Sequence, residues 1–382
     1  MVVHGPYPLG EPRVEREALA ARAAGWQVEV LATRRAGEAA EEQVDGVLVR
    51  RLPIEHRRGA GFAAALREYV GFTCLATREL ARGPWHEVVH VHAPPDFLIG
   101  AAFVPRLRGA RVILDIHDLS SDMFAMRFSD RFGAGAANVL LRIIERVATR
   151  AADAVVTVHK PYHDELQRRG VATQKLTVLL NSVDESRLPA VGRESSADGF
   201  RIVYHGTITP HYGVDLLVRA AAQAAMRVED LRLEIYGEGD ELPALRALAG
   251  EVGLSERLST SDGYLPLNTV LERIAGASVG VVPNRPTRHH RLALSSKVFE
   301  YVALRIPVAA ADLPTHRAHF SEDEVRFFRA GDESALAAAL VDVAANPDTA
   351  RRRAEKALKR YEAYRWSEQA RRYVELLDRL AR

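Results

Sequence analysis

The segment Leu294-Ser295-Ser296-Lys297-Val298-Phe299-Glu300-Tyr301 sets two hydroxyl residues directly before a helical stretch that carries a lysine and a glutamate. Serine is a favoured helix N-cap. A helix start leaves N–H groups unpaired and carries partial positive charge, which suits a bound anion such as a diphosphate. Lys297 adds a full charge there, and Glu300, three residues on, shares its face. A carboxylate so placed can accept two neighbouring hydroxyls, as a ribose would present. A capped surface helix with a local Lys–Glu pair would look the same, so this segment gains meaning only from its companions.

The run Tyr204-His205-Gly206-Thr207-Ile208-Thr209-Pro210-His211-Tyr212-Gly213 reads as a strand, a glycine turn and a helix start. Gly206 lets a phosphate approach the backbone, and Thr207 and Thr209 offer hydroxyls. Tyr236-Gly237-Glu238-Gly239 and Gly263-Tyr264-Leu265-Pro266 end the next two strands and present backbone groups that can grip a flat base. In the first half, Asp115-Ile116-His117-Asp118 closes a strand, where His117 can hydrogen-bond a sugar hydroxyl or a phosphate. His90 and His92 have the i, i+2 spacing of a metal pair, but no cysteine or further carboxylate pattern completes a site, so no metal is expected. The opening loop, residues 8–15, brings Gly10, which permits close ligand approach, and Arg13, which can reach an anionic group. Arg288, His289, His290 and Arg291 directly precede the Ser295 helix start and could contact a phosphate. Arg50, Arg51, His56, Arg57 and Arg58 precede an apolar helix over 62–80, and Met123, Phe124, Met126, Phe128 and Phe132 follow His117. Together these suggest a shallow membrane-facing or lipid-acceptor surface, against the plainer reading of core packing with solvated arginines.

Short apolar runs alternating with helical patterns must position these groups. Strands are predicted at 28–32, 87–91, 111–116, 154–158 and 175–180, with helices such as 14–24 and 137–150 between them. This is the pattern of βαβ units and a parallel sheet. Residues 181–199 lack an apolar period and read as a linker. The alternation then restarts, with strands at 201–205, 232–236, 279–282 and 308–310 and helices at 214–225, 242–253, 267–275 and 297–304. The first strand reads as cut to Met1, Val2 and Val3 by a turn at His4-Gly5-Pro6. Two helices, 349–361 and 367–380, close the chain; Ser367 can cap the second. Its apolar Ala370, Tyr373, Val374, Leu377 and Leu380 must cover something, and the N-terminal sheet is the expected surface. Parallel sheets bind ligands beyond the carboxyl ends of their strands.

Composition narrows the class further. Lysine plus arginine total 52 against 50 acidic residues, a formal charge of +2, which argues against a nucleic-acid binder held by a broad basic field. The single cysteine, Cys74, permits no internal disulfide and reads as a small buried apolar residue in a reducing compartment. No apolar run is long enough to span a bilayer, and the N-terminus lacks a signal-peptide pattern. A cytoplasmic location, with peripheral contact at the inner membrane face, is expected.

In chain order, the assembled segments resemble glycosyltransferase family 4, of the GT-B fold. The residues that carry the resemblance are Glu11-Pro12-Arg13-Val14-Glu15-Arg16-Glu17-Ala18, Val91-His92, Leu114-Asp115-Ile116-His117-Asp118 and Asn181-Ser182-Val183-Asp184. Tyr204-His205-Gly206-Thr207, Tyr212-Gly213-Val214-Asp215, Tyr236-Gly237-Glu238-Gly239, Ser296-Lys297 with Glu300-Tyr301, and Tyr364-Arg365-Trp366-Ser367 continue it. The resemblance implies an α/β architecture of two facing Rossmann-like domains with parallel sheets and a C-terminal helix returning to the first. Residues 1–182 with 366–382 would form the acceptor domain and 183–365 the donor domain. It implies retaining transfer from a nucleotide diphosphate-sugar, a UDP-sugar first, to a glycan, lipid-linked or small-molecule acceptor, with no metal and no further cofactor. His117, Lys297 and Glu300 would be catalytic. Gly10, Gly206, Thr207, Thr209, Tyr236, Gly237, Glu238, Tyr264, Leu265, Ser295 and Ser296 would line the donor, and Arg13, His92 and Asp118 the acceptor side. Many members carry an arginine and a lysine where this chain has Thr207 and Tyr212, a glutamate at Leu292 and a glycine at Arg305. A nucleotide-sugar 2-epimerase and a non-catalytic nucleotide-sugar-binding partner of a transferase are the competing readings.

Overall fold

The structure is a computed structural model that describes residues 1–8, 10–54, 62–128, 134–189, 199–261, 263 and 265–382. The chain divides into two compact units, Met1–Asn181 with Ser367–Arg382, and Ser182–Trp366.

The first unit is built on an eight-stranded sheet. Its strands are β1 (Val2–Pro6), β2 (Glu29–Thr33), β3 (Glu41–Val44), β4 (Val47–Leu52), β5 (Val88–Ala93), β6 (Arg111–Ile116), β7 (Ala154–Thr157) and β8 (Leu176–Val178). Their order is β3-β4-β2-β1-β5-β6-β7-β8, parallel throughout except that β3 runs antiparallel to β4. Helices α1 (Pro12–Ala23), α2 (Phe62–Arg82), α3 (Phe103–Leu107), α4 (Ser120–Phe128), α5 (Ala134–Ala151) and α6 (Lys160–Arg168) connect them. The central strands are covered on both faces, so they read as continuous apolar runs; Val89, Val91, Ile113, Leu114, Val155 and Val156 are all buried.

Three sequence expectations change here. The first strand does not stop at a turn: it continues through His4, Gly5 and Pro6, with an irregularity between the pairings Val2–Leu31 and Pro6–Thr33. The Glu11 side chain lies against Gly5, and a Cβ there would fall 2.2 Å from Glu11 Oε1. The β3–β4 hairpin escaped notice, although Asp45-Gly46 sits at its turn with φ of 50° and 76°, the positive values that a two-residue hairpin turn requires. Its arginines are not lipid-facing. Arg50 pairs with Glu29 and Glu41, and Arg51, almost wholly buried, pairs with Glu38 and Glu42. His56, Arg57 and Arg58 lie outside the described residues, as do Phe132 and the side chains of Met126 and Phe128. Cys74 is exposed on the outer side of α2, not buried.

The C-terminal helix, Trp366–Ala381, covers this sheet as expected. Tyr373, Leu376 and Leu377 pack with Ile113, Ala154, Val156 and Leu179 and with Ala21 of α1. Ser367 falls inside its first turn and is exposed, while Glu185 Oε1 accepts the Trp366 N–H at 2.7 Å.

The second unit has six parallel strands, β9 (Phe200–His205), β10 (Leu231–Tyr236), β11 (Leu258–Thr260), β12 (Val279–Val282), β13 (Val308–Ala311) and β14 (Arg326–Phe328), in the order β11-β10-β9-β12-β13-β14. Its helices are α7 (Val214–Ala225), α8 (Leu242–Glu251), α9 (Leu267–Ile274), α10 (Lys297–Ala303), α11 (Pro314–Arg317), α12 (Glu333–Ala345) and α13 (Pro347–Tyr361). Edge strands β11 and β14, three residues each, are too short to show a period. Residues 190–198 of the expected linker lie outside the described residues; Ser182, before them, donates to the Tyr364 carbonyl within this unit.

Truncating the C-terminal helix contact tests this account of the first unit. Leu377→Ala should lower its unfolding free energy by about 2–4 kcal/mol, read as a shifted urea midpoint with an unchanged slope. A midpoint identical to that of the parent would show that the helix does not seal the sheet.

Candidate active site

In the second unit, one packing contact fixes the segment that opened the sequence analysis. Gly280, in the middle of β12, lies under the Tyr301 ring; a Cβ there would fall 2.4 Å from it. Val298, Phe299, Tyr301 and Val302 are buried, so α10 sits hard on the sheet and its first turn lies beside the end of β9. Gly206, φ +104°, follows β9, and a Cβ on it would meet Lys297 Cε at 2.7 Å and Nζ at 2.9 Å. The lysine therefore lies along the bare backbone of that turn.

Lys297 is buried, and among the described residues its ammonium has no ion-pair partner. It lies 4.8 Å from the Tyr212 ring centroid and 5.4 Å from that of Tyr204, within cation–π range. Burial lowers its pKa, and the nearby Glu300 charge opposes the shift only in part. Glu300 is buried too. Desolvation pushes its carboxyl upward, but His205, Lys297 and Ser296 outweigh that and hold it below the usual range. His205 Nε2 stands 2.9 Å from Glu300 Oε2. Sequence reasoning placed His205 at the end of the strand 201–205 and gave it no role; its position one residue before Gly206 was the available signal. Ser295 and Ser296 do not cap α10. Ser296, the residue before the helix, has helical φ and ψ and makes no side-chain capping bond, and the buried Ser295 hydroxyl finds no partner among the described residues.

The neighbouring loops are stitched to Gly206. Gly206 N–H donates to the Tyr236 carbonyl at 2.8 Å, and Ile208 N–H to that of Glu238 at 2.9 Å. Gly237 and Gly239 press so close to this chain that Cβ atoms would lie 2.0 Å from the Gly206 carbonyl oxygen and 1.9 Å from that of Ile208. The Gly237 N–H is taken by Ser261 Oγ at 2.9 Å. The Thr207 carbonyl accepts from Tyr204, leaving its side chain exposed, and half-buried Thr209 precedes a short 3-10 turn. The Tyr236 hydroxyl donates to Glu234 at 2.9 Å, which commits its polar end elsewhere. Leu265 is half-buried beyond Gly263, and Tyr264 lies outside the described residues. In the basic stretch, His290 is structural: its Nδ1 lies 3.1 Å from the Arg285 carbonyl oxygen, and burial lowers its pKa to about 4. Arg288 and Arg291 are exposed.

In the first unit the strand ends gather a second charged cluster. Arg13 is buried and spends its donors internally, with Nε 2.8 Å and Nη2 3.2 Å from the Asp115 carboxylate and Nη1 2.9 Å from the Leu179 carbonyl. It is thus not free for an acceptor, contrary to the expectation. His92 is likewise buried, 3.2 Å from His117 Nε2 through its Nδ1. His117 Nε2 also lies 3.3 Å from Asp115 Oδ2, and His117 is the partly exposed member of the cluster. Burial works against a charge on His117, but Asp115 prevails and raises its pKa. Asp115, despite burial, is held well below the usual carboxyl range by Arg13 and His117. Asp118, half-buried beside His117, accepts from the Tyr162 hydroxyl at 3.0 Å, and Gly10 is exposed at φ +118°.

The fold also supplies the carboxylates that seemed missing around the histidine pair. Glu17, His90, His92 and Asp115 offer ligand atoms within 4.8 Å of one another. Arg13 already stands among them, 3.2 Å from Glu17 Oε1, so the cluster has its own cation. Burial drives the Glu17 carboxyl upward and favours its neutral form. A hollow at the other end of the second unit is bordered by the strand starts Leu231 and Leu258, and among the charged groups around it Glu234 is already paired with Arg201 at 2.8 Å.

Two α/β units with parallel sheets, glycine turns at strand ends and a buried lysine define the GT-B class. Residues 10–182 match the family described as "Glycosyl transferase 4-like domain", and residues 199–346 match "Glycosyl transferases group 1". The chain belongs to this glycosyltransferase family. It is 25% identical over 237 residues to alpha-D-kanosaminyltransferase of Streptomyces kanamyceticus, a match covering 58% of this chain and 59% of that protein. It is 26% identical to D-inositol 3-phosphate glycosyltransferase 1 of Catenulispora acidiphila, over 71% of this chain and 66% of the relative. The fold is similar to that of sucrose-phosphate synthase from Thermosynechococcus elongatus, with TM-score 0.78 at 18% identity over 99% of this chain and 95% of that one. HepE from Anabaena, solved in complex with UDP-glucose, gives a TM-score of 0.75 at 13% identity over 99% and 98%.

Burial of neutral His92 has a consequence for pH. Its folded-state pKa of about 4 lies below the ordinary 6.5, with desolvation as the largest cause. The unfolded chain thus takes up a proton first, and stability is lost as pH falls from 6.5 towards 4. Between pH 7 and 5 this side chain should cost on the order of 2 kcal/mol. Urea titrations should show a smaller loss over that interval for His92→Asn; an equal loss would place the pH dependence elsewhere.

Proposed function

We propose that the protein is a retaining glycosyltransferase that moves a sugar from a nucleotide diphosphate-sugar, a UDP-sugar first, to a glycan, lipid-linked or small-molecule acceptor in cell-surface polysaccharide or glycolipid synthesis. The observation that carries this reading is Lys297: a buried cation with, among the described residues, no carboxylate paired to it, laid along a glycine turn at the carboxyl edge of a parallel sheet. Breaking the bond between the anomeric carbon and the diphosphate leaves negative charge on the departing oxygen. A preorganised cation in a low-dielectric site stabilises that charge most where it develops. Lys297 supplies this without a metal ion. Glu300, kept ionised, receives ribose hydroxyls on the oxygen that His205 does not occupy. Gly206 and Gly237 bring backbone up to the phosphates and base. His117, poised to carry a proton, contacts the transferred sugar. The relatives' names, a kanosaminyltransferase and an inositol-phosphate glycosyltransferase, support sugar transfer, and the HepE complex supports a UDP-sugar.

Lys297→Ala should reduce turnover by roughly 10²–10³-fold, with melting temperature little changed; full turnover would remove the lysine from the mechanism. Glu300→Ala should weaken nucleotide binding about tenfold in calorimetry, and an unaltered dissociation constant would sink the ribose contact. Activity should survive EDTA. The deciding experiment is a melting-temperature screen of UDP-, GDP-, ADP- and TDP-sugars followed by assay of nucleotide release, because a ligand bound to the folded state raises its melting point. Thr207 and Tyr212, which replace basic residues common in the family, favour one other outcome. Binding without any release or transfer would make the protein a non-catalytic nucleotide-sugar-binding partner.

A further inference from the structure

The large apolar side chains that remain exposed are not scattered. Ten are exposed among the described residues, and eight of them lie on α2, α3 and α5 of the first unit. On α5, Val139, Leu140, Ile143 and Val147 recur at helical spacing along one outward stripe, each more than half exposed. Leu66 and Val70 do the same on α2, and Phe103 and Leu107 on α3. A ninth, Trp85, follows α2 closely and donates its indole N–H to the Arg108 carbonyl at 3.1 Å.

The exposed charges on these three helices are of one sign, although Arg106 is paired with Asp153 at 2.9 Å. Every exposed charged residue described on the three helices is arginine: Arg67, Arg78 and Arg82 on α2, Arg106 on α3, and Arg142, Arg146 and Arg150 on α5. The acidic residues are turned in. Glu145 is buried in an ion pair with Arg169 at 2.7 Å, Glu68 lies 3.0 Å from His4, and Glu79 is half-buried. The patch is continuous, because Arg106 donates to the Ala151 carbonyl at the end of α5 and Arg108 donates to the Ala81 carbonyl near the end of α2.

We infer that this face docks on a bilayer surface bearing anionic lipid headgroups. Apolar side chains on an amphipathic helix enter the boundary between headgroups and acyl chains, while neighbouring arginines meet lipid phosphates. A second copy of the same face is a poorer occupant, since it would set arginine against arginine. Among the described residues no helix is long and apolar enough to cross a membrane, so the contact is peripheral. It shares α2 with the surface expected from sequence but leaves out Arg50 and Arg51, whose charges are neutralised by glutamates.

Full-length protein should co-sediment with phosphatidylcholine vesicles containing phosphatidylglycerol, and poorly with phosphatidylcholine alone or at high salt. The triple change Arg142→Gln, Arg146→Gln, Arg150→Gln should lower partitioning by roughly a hundredfold. Val139→Gln, Ile143→Gln, Val147→Gln should lower it by at least about tenfold. Because all six side chains are exposed on the first unit, melting temperature and nucleotide binding by the second unit should be unaffected in both. Failure of the parent to bind anionic vesicles, or parent-like binding by both variants, would overturn the proposal. So would concentration-dependent self-association, without vesicle binding, that the apolar variant abolishes, because the face would then join copies of this chain. Loss of sugar transfer with vesicle binding intact bears on the proposed reaction and leaves this surface standing.

Discussion

A cation taken out of water and given, among the described residues, no carboxylate to pair with is the constraint that organises the second unit. Lys297 loses hydration on burial, and the aromatic faces of Tyr204 and Tyr212 replace only part of it. Such a charge is tolerated because the helix that carries it cannot withdraw. Tyr301, one turn on, is seated where β12 has no side chain. The same economy of side chains recurs at Gly206, Gly237 and Gly239, where loops approach one another more closely than any Cβ would permit. What results is a rigid rim of backbone around an under-neutralised charge, which is a demand for an anion.

The first unit resolves its buried charges in the opposite way. Arg13 is fully engaged by Asp115 and the Leu179 carbonyl, and Glu17 is driven towards its neutral form. Removing one member of such a set would strand another, so the cluster reads as a brace. Its purpose becomes visible at its outer edge, where His117 is held by Asp115 and His92 with its ring partly open to solvent. One unit therefore offers a fixed positive charge, and the other a histidine whose protonation is set from beneath.

Much of this architecture was legible in the chain. Strands with strong apolar runs, such as 111–116 and 279–282, coincide with β6 and β12, and the stripe containing Tyr373 and Leu377 correctly announced a helix that covers the first sheet. Elements whose signal is local geometry escaped. The β3–β4 hairpin is polar and short, and edge strands β11 and β14 owe their form to a neighbour's hydrogen bonds. At the candidate site, residue types were readable but partnerships were not. Nothing in the spacing told that Arg13 meets Asp115, 102 positions away, or that Ser295 and Ser296 leave their helix uncapped. Long-range pairs of this kind arise from sheet order, which a one-dimensional pattern does not contain. The apolar stripe on α5 would look identical if it were buried, so only the fold distinguishes a core face from a docking face.

The route of the chain has a bearing on how the protein is made. Residues 182–366 form one unbroken unit, whereas the first unit needs Tyr373, Leu376 and Leu377 to cover Ile113, Val156 and Leu179. During synthesis the earlier-translated sheet thus waits, with that apolar patch bare, while the whole intervening unit is produced. The later-translated unit is free to finish first.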